Sequence, residues 1–163
     1  MSAPNLSPWR LQRVHHLGIT VRDVERSIAF YRDLLGMTLV RRRPVVDADY
    51  VAKQTGYPGV QLSVASLAVA PDAQPTLELA QYLTHSAQPA DTASNRPGNS
   101  HLCLVVDDLD ACYVQLTQRG VRFRSAPVEI TAGPNQGGKV AYFYDPDEYT
   151  LELFQPNADA LME

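Results

Sequence analysis

An α+β fold built from two βαβββ modules is predicted by the sequence, and three observations support it. The 163-residue chain contains an internal duplication. Each copy begins with alternating apolar and polar residues, as in a strand, and continues with an apolar stripe of helical period. Each copy also ends on nearly the same pentapeptide, Leu-Glu-Leu-Ala-Gln or Leu-Glu-Leu-Phe-Gln. We therefore expect a single domain of two modules, residues 12–84 and 100–156, joined by a linker over residues 85–99.

The first strand of each copy carries a histidine at its start. The segment from His16 to Asp23 has its counterpart from His101 to Asp108, at a constant offset of 85 residues. In both segments every second residue is apolar, which is the period of a strand with two unlike faces. If the apolar residues cover a helix, each histidine lies on the opposite face of its sheet.

A helix follows each of these strands. Asp23 and Asp108 occupy the N-cap position, where a carboxylate can accept hydrogen bonds from free backbone N–H groups. Gly36 and Gly120 follow the two stripes and can adopt the left-handed conformation of a helix C-cap. The stripe residues, at helical spacing, are Val24, Ile28, Tyr31 and Leu35 in the first copy and Leu109, Cys112 and Leu116 in the second.

Three further strands complete each predicted module. Residues 145–148 read Asp-Pro-Asp-Glu, a turn signal that joins the last two strands of the second copy. The linker is rich in Pro, Ser, Ala and Asn and shows no periodicity. The strands are expected near residues 39–44, 61–69 and 76–82 in the first copy, and near 121–127, 139–144 and 150–155 in the second.

Composition and charge exclude several classes of function. With 45% hydrophobic and 20% charged residues, the chain has the composition of a globular protein. The net charge of −4 argues against nucleic-acid binding, which needs a concentrated basic surface. No apolar run approaches the roughly 18 residues that span a bilayer. We therefore expect no nucleic-acid or membrane partner and a cytoplasmic location.

Two smaller features have alternative interpretations. Arg41, Arg42 and Arg43 form the only basic run, for which we favour a solvated strand end over a clamp for a substrate anion. Cys103 and Cys112 lack the spacing of a disulfide framework or a CxxC motif. We expect both to be small buried thiols in a reducing compartment, without a catalytic role.

Two histidines and two glutamates are the candidates for a metal site. The strand period places His16 and His101 opposite the helices, and the leucines that flank Glu78 and Glu152 place these carboxylates on the same face. Two buried carboxylates repel each other and need a cation or protons. Two imidazoles and two carboxylates suit a five- or six-coordinate divalent ion with open positions for a substrate. Each residue alone is more often structural, but the repetition favours a metal site.

The same residues resemble the vicinal oxygen chelate superfamily, which includes glyoxalase I, methylmalonyl-CoA epimerase, extradiol dioxygenases and bleomycin-resistance proteins. The resemblance covers about residues 12–156. It implies a glyoxalase-like cupped mixed sheet around one divalent ion (Ni, Co, Mn, Zn or Fe), a small-molecule substrate that chelates this ion, and a homodimer. It rests on His-Leu-Gly-Ile at 16–19, Phe-Tyr at 30–31, Leu-Gly at 35–36, His-Leu-Cys-Leu at 101–104 and Asp-Pro-Asp at 145–147.

The resemblance implies proton-transfer chemistry, as in an isomerase, an epimerase or a lyase, with Glu78 and Glu152 as acid and base. Glu78 favours this branch, because the extradiol enzymes leave that ligand position empty. Two alternatives stay open: an Fe(II) extradiol-type dioxygenase, which Tyr142 supports, and a metal-free small-molecule (drug) binding protein. Pairing of the modules within one chain or between chains also stays open. The residues expected to line the substrate pocket are Thr20, Tyr82, Cys103, Tyr142 and Phe154.

Overall fold

The predicted α+β fold class is confirmed by a computed structural model, which describes residues 9–157. The chain divides into two compact units, Met1–His85 and Ser86–Glu163. Each unit contains one four-stranded sheet with both parallel and antiparallel neighbours.

The two units share the order of one strand, one main helix and three strands, and the N-terminal unit has an additional short helix. The N-terminal unit contains β1 (His16–Thr20), α1 (Val24–Ile28), a π-helical continuation (Ala29–Leu34), β2 (Thr38–Val46), α2 (Asp49–Thr55), β3 (Leu62–Ala68) and β4 (Thr76–Tyr82). The C-terminal unit contains β5 (Leu102–Val105), α3 (Leu109–Gln118), β6 (Val128–Glu129), β7 (Lys139–Tyr144) and β8 (Thr150–Gln155).

Both sheets have the same strand order, β1-β4-β3-β2 and β5-β8-β7-β6. The first and last strands of each unit pair in parallel, and the other neighbours are antiparallel. The strand that begins at His16, and the one that begins directly after His101, therefore each lie beside the strand that carries the pentapeptide of the same unit. This pairing brings the two repeated motifs of a unit together, although they are more than 45 residues apart in the sequence.

The core of each unit lies between its helix and one face of its sheet. On β4 and β8 the leucines are buried and the intervening glutamates are half-buried, so each strand has the two unlike faces that the sequence predicts. α1 contacts β3 and β4, and α3 contacts β7 and β8. The largest completely buried side chains are Tyr31, Leu67 and Leu79 in the N-terminal unit and Leu109, Phe143 and Leu151 in the C-terminal unit.

Two side chains, not one, satisfy the N-terminal backbone of each main helix. Asp23 and Asp108 are the N-caps, as predicted, and their carboxylates accept from N–H groups in the first turn. The first N–H of α1 donates instead to Oε1 of Gln81, at 3.0 Å, and the first N–H of α3 to Oε1 of Gln155, at 2.8 Å. The glutamine of the repeated pentapeptide thus ties the last strand of each unit to the start of its helix.

The first helix differs from the expected regular α-helix. After Ile28 it continues with π-helical turns, in which the N–H of Leu35 donates to the carbonyl of Phe30, five residues earlier. Phe30 and Tyr31 are both buried as a result. Gly36 follows with a φ of 76°, the left-handed conformation expected of it.

The strand expected over residues 121–127 is wrong. Within it only Phe123 forms an isolated bridge, to Phe143, and the two-residue β6 comes after it. The N–H of Val121 closes the end of α3 by donating to the carbonyl of Leu116, at 2.9 Å. Pro127 has no N–H to donate, so regular pairing cannot run through it.

Helix α2 is not predicted by the sequence. It is only seven residues long, and Val51 is its one buried residue, so it has no apolar stripe of helical period. It ends at Gly56, which has a φ of 77°. The helix lies between β2 and β3, and the C-terminal unit has no equivalent among its described residues, 86–157.

Between β4 and β5 the described chain forms neither helix nor strand. The segment has internal bonds of its own: Arg96 pairs with Asp91 at 2.6 Å, and the side-chain amide of Asn99 donates to the carbonyls of Asp91 and Ala93. Over residues 9–157, the structure contains no helix that is both long and apolar enough to cross a membrane.

Candidate functional site

One face of each sheet carries a histidine and a glutamate, and we call this side, opposite α1 or α3, the histidine face. In the N-terminal unit, Nε2 of His16 lies 3.9 Å from Oε1 of Glu78. The register places Gly18 of β1 beside Glu78 of β4, and His16 lies two residues before Gly18 on the same face of the strand. The side chains of His16 and Glu78 are 41% and 28% exposed, so a ligand can reach them.

Two further residues contact this pair. Nη2 of Arg43 lies 3.4 Å from Oε2 of Glu78. Nδ1 of His16 lies 2.8 Å from Nδ1 of His15, and the two rings meet edge to face. One imidazole can donate and the other accept, which leaves Nε2 of His16 available toward Glu78.

The basic run does not form the solvated strand end that we expected. It lies within β2, and Arg42 and Arg43 are half-buried on opposite faces. Arg42 points to the helix side, where it pairs with Glu25 of α1 at 2.8 Å. Arg43 belongs to the histidine face. The only signal in the sequence that Arg42 and Arg43 lie on opposite faces is that successive side chains of a strand alternate between its two faces.

The C-terminal unit repeats the pair in a tighter form. Nε2 of His101 lies 2.9 Å from Oε2 of Glu152, and the Glu152 side chain is only 16% exposed. Register places Cys103 on one side of Glu152 and Tyr142 on the other. Tyr142 also contacts His101, with ring centroids 5.3 Å apart.

Glu152 affects the ionisation of both flanking side chains. Partial burial raises the pKa of the Cys103 thiol to about 11, and the charge of Glu152 and a hydrogen bond to it contribute to the rise. The pKa of the Tyr142 phenol is also raised, by burial first and then by Glu152 through its charge and a hydrogen bond. Both groups therefore stay protonated near neutral pH. In this form they can donate to the carboxylate.

The four predicted metal ligands thus form two pairs, one in each unit, and each pair is a histidine beside a glutamate. Across the described residues, 9–157, no three His, Cys, Asp or Glu side chains form a group that could hold a metal ion. Each pair supplies one nitrogen and one carboxylate, the donor types that suit a divalent transition metal. A pair alone provides only half of the four-ligand set that the sequence predicts.

The predicted pocket residues lie on the histidine faces. In the N-terminal sheet, Thr20 is exposed on β1 and Tyr82 is half-buried on β4, with its ring 5.9 Å from that of Tyr57. In the C-terminal sheet, Tyr142 and Phe154 are half-buried, and Phe154 lies two residues after Glu152. Cys103 is exposed, so the expectation of a buried thiol is wrong for this residue. Its strand alternates, and Cys103 takes the same side as His101.

The family to which the chain belongs follows from comparison with known proteins. The profile of the Glyoxalase/Bleomycin resistance protein/Dioxygenase superfamily matches residues 13–153. This chain belongs to that superfamily. The family predicted from the sequence is therefore confirmed.

Several curated relatives of this glyoxalase superfamily member are enzymes. It is 30% identical to a 2-epi-5-epi-valiolone epimerase from Actinomyces sp., over 92% of this chain and 82% of the relative. It is 29% identical to the lactoylglutathione lyase of Haemophilus influenzae, over 88% and 92% of the two chains. Human mitochondrial methylmalonyl-CoA epimerase is 27% identical, over 87% of this chain and 71% of the human protein.

Solved structures show the same fold. A glyoxalase family protein from Bacillus cereus matches with a TM-score of 0.79 and 22% identity, and the match covers 94% of this chain and 99% of that one. Trypanothione-dependent glyoxalase I from Leishmania major matches with a TM-score of 0.63 and 23% identity, over 93% and 91% of the two chains. At these identities the likeness extends to the fold alone.

Proposed function

We propose that this protein is a divalent-metal-dependent enzyme that moves a proton on a small oxygenated substrate, as in an isomerisation, an epimerisation or a lyase reaction. His16, Glu78, His101 and Glu152 would together hold one ion. The observation that carries the proposal is that each unit separately places a histidine beside a glutamate, at 3.9 Å and 2.9 Å. Curated relatives that are epimerases or lactoylglutathione lyases support the reaction class.

When bound, a divalent cation would polarise neighbouring substrate oxygens and stabilise the negative charge that develops as a proton leaves carbon. The residues of the chain divide the remaining tasks. His15 orients the His16 ring through the 2.8 Å contact between their Nδ1 atoms. Tyr142 and Cys103 hold Glu152 in place by hydrogen bonds.

The two glutamates differ in how firmly they are held. Glu152 is the less exposed of the two, with His101 at 2.9 Å and two further side chains bonded to it. Glu78 has longer contacts, 3.4 Å to Arg43 and 3.9 Å to His16. It can therefore turn toward a substrate with less disruption, and we assign it the proton transfer at carbon, with Glu152 as the second acid or base.

Metal titration is the first experiment. Calorimetry with Co²⁺ on protein purified without a metal-affinity tag should give one ion per chain. Glu78→Gln and Glu152→Gln should each weaken binding by at least about 10-fold, because each removes a charged ligand. Glu129→Gln, in exposed β6, is the matched control and should leave it unchanged. Absence of binding, or binding that survives both ligand substitutions, would refute the proposed site.

The reaction class is tested by hydrogen exchange. Candidate diketones, thiohemiacetals and acyl-CoA esters are incubated with metal-loaded protein in D₂O, and loss of a substrate C–H signal is followed by NMR. We expect the wild type to exchange the substrate hydrogen and Glu78→Gln not to exchange it.

We also propose, on the basis of the family, that the protein is a homodimer. Analytical ultracentrifugation of the same samples tests this.

An Fe(II) ring-cleaving dioxygenase is the second candidate. Its support is Tyr142, which contacts His101 with ring centroids 5.3 Å apart and hydrogen-bonds to Glu152. Oxygen uptake with catechols that survives Glu78→Gln would favour this candidate over proton transfer. The Glu78 contact with His16 favours the first candidate, because it provides a second carboxylate ligand.

A further inference from the structure

We propose that Arg43 binds an anionic group of the substrate, a carboxylate or a phosphate, adjacent to the oxygens that chelate the metal. This inference rests on the proposed function and makes it more specific, since it narrows the substrate class to anionic compounds. The geometry of β2, the hydrogen-bonding state of Arg43 and the charge of the histidine face all point to this role.

Arg43 lies on the histidine face within reach of Glu78. The register pairs Arg43 with Val64 and Val64 with Ala80, on the same side of the sheet as Glu78. One terminal nitrogen of the guanidinium lies 3.4 Å from Oε2 of Glu78, longer than the usual 2.7–2.9 Å of a strong charged hydrogen bond. The side chain is 37% exposed, so a ligand can reach its terminus.

The guanidinium of Arg43 is incompletely satisfied. Its Nε is buried, and no hydrogen-bond partner for it exists in the described part of the chain. Neighbouring Arg42 shows what a structural arginine in this strand looks like. All three of its nitrogens have acceptors, which include Glu25 at 2.8 and 3.0 Å and Ser63 at 2.8 Å. The fold therefore holds the Arg43 guanidinium with fewer hydrogen bonds than that of Arg42, and its terminal nitrogens, on a side chain that is 37% exposed, are the donors that a ligand can reach.

Charge on this face favours an anion. Arg41 pairs with Ser66, and Ser66 with Glu78, so Arg41 also belongs to the histidine face. Among residues 9–85, the strands of this face thus carry two arginines, Arg41 and Arg43, and one carboxylate, Glu78. If Glu78 ligates a divalent cation, its charge is shared with that cation, and the attraction that holds Arg43 weakens. An anionic oxygen group of the substrate would restore the balance, and the planar guanidinium fork suits its two oxygens.

The test compares two chelators of nearly the same shape that differ in charge. The probes are 2,3-dihydroxybenzoate and its neutral amide, 2,3-dihydroxybenzamide, titrated calorimetrically into Co²⁺-loaded protein without oxygen. Arg43→Gln should lower the affinity for the benzoate by about 10-fold or more and change that for the benzamide less than about 3-fold. Arg43→Lys should recover part of the loss, because it restores the charge but not the fork.

Arg32→Gln is the matched control, since Arg32 is an exposed arginine of the same unit that pairs with adjacent Asp33. It should leave the affinities for both probes unchanged. If Arg43→Gln lowers the affinity for the two probes equally, or does not lower the affinity for the benzoate, the proposed role of Arg43 is overturned. Cobalt binding by the wild type would still support the proposed function in that case. If wild type binds no cobalt, the proposed function and this inference fall together. Arg43 and the metal ion should also compete for the carboxylate of Glu78. A Co²⁺ affinity that is unchanged or higher in Arg43→Gln would support this competition, and a large fall in that affinity would contradict it.

Discussion

Replacing Gln155 with alanine removes the acceptor that ties β8 to the start of α3. Oε1 of Gln155 accepts from the backbone N–H of Leu109 at 2.8 Å, and Leu109 is completely buried. The carboxylate of Asp108 accepts from a different N–H group of the first turn, that of Ala111. A buried donor without a partner costs about 1–3 kcal/mol, and removal of half-buried methylenes adds to this. We expect Gln155→Ala to lower the free energy of unfolding by about 2–3 kcal/mol.

Urea unfolding followed by circular dichroism measures this loss. Gln155→Glu is the control, because it keeps an acceptor oxygen and places a carboxylate at a helix N-terminus, where negative charge is favoured. We expect this variant to lose less than about 1 kcal/mol. The equivalent substitution Gln81→Ala should behave like Gln155→Ala, since Gln81 makes the same bond to α1. A loss below about 0.5 kcal/mol for Gln155→Ala, or an equal loss for both Gln155 variants, would refute this reasoning.

Three further outcomes are expected. In metal-free protein at pH 8, iodoacetamide should alkylate Cys103 about 10-fold more slowly than a thiol of pKa 9.0, because a pKa of about 11 leaves much less thiolate and the stronger nucleophilicity of that thiolate offsets only part of the loss. The rate, followed by mass spectrometry, should rise with pH, and a rate typical of a free thiol would contradict the raised pKa. Phe143→Ala should lower the unfolding free energy by about 3–5 kcal/mol, because the ring is completely buried, and a loss under about 1 kcal/mol would exclude such packing. Gly120→Ala should lower it by about 1 kcal/mol through strain at a φ of 84°, whereas a gain in stability would contradict that conformation.

The duplicated histidine and glutamate motifs have different surroundings in the two units. Glu78 lies beside a cation, Arg43, whereas Glu152 lies beside the neutral donors Tyr142 and Cys103. Nearly identical motifs thus lie in different electrostatic environments. If both glutamates act in one reaction, this difference provides the physical basis for giving them different roles.

The sequence by itself determined the duplication, the fold class and the face on which each candidate residue lies. These features depend on local periodicity, because successive side chains of a strand alternate between two faces whatever its neighbours are. The burial of Leu77 and Leu79 around half-buried Glu78, and the caps at Asp23 and Asp108, follow the sequence pattern for this reason.

Only the tertiary structure decided which side chains meet across the sheets. Arg43 contacts Glu78 across 35 residues of sequence, and Gln81 reaches the start of α1 across 57. Strand order and register set such contacts, and neither leaves a periodic signal in the chain. The same reason explains why the sequence predicts neither the short helix α2 nor the position of β6, which begins after the strand expected over residues 121–127. α2 has one buried residue and β6 only two residues, so both are stabilised by contacts with the rest of their unit and leave no periodic pattern in the sequence.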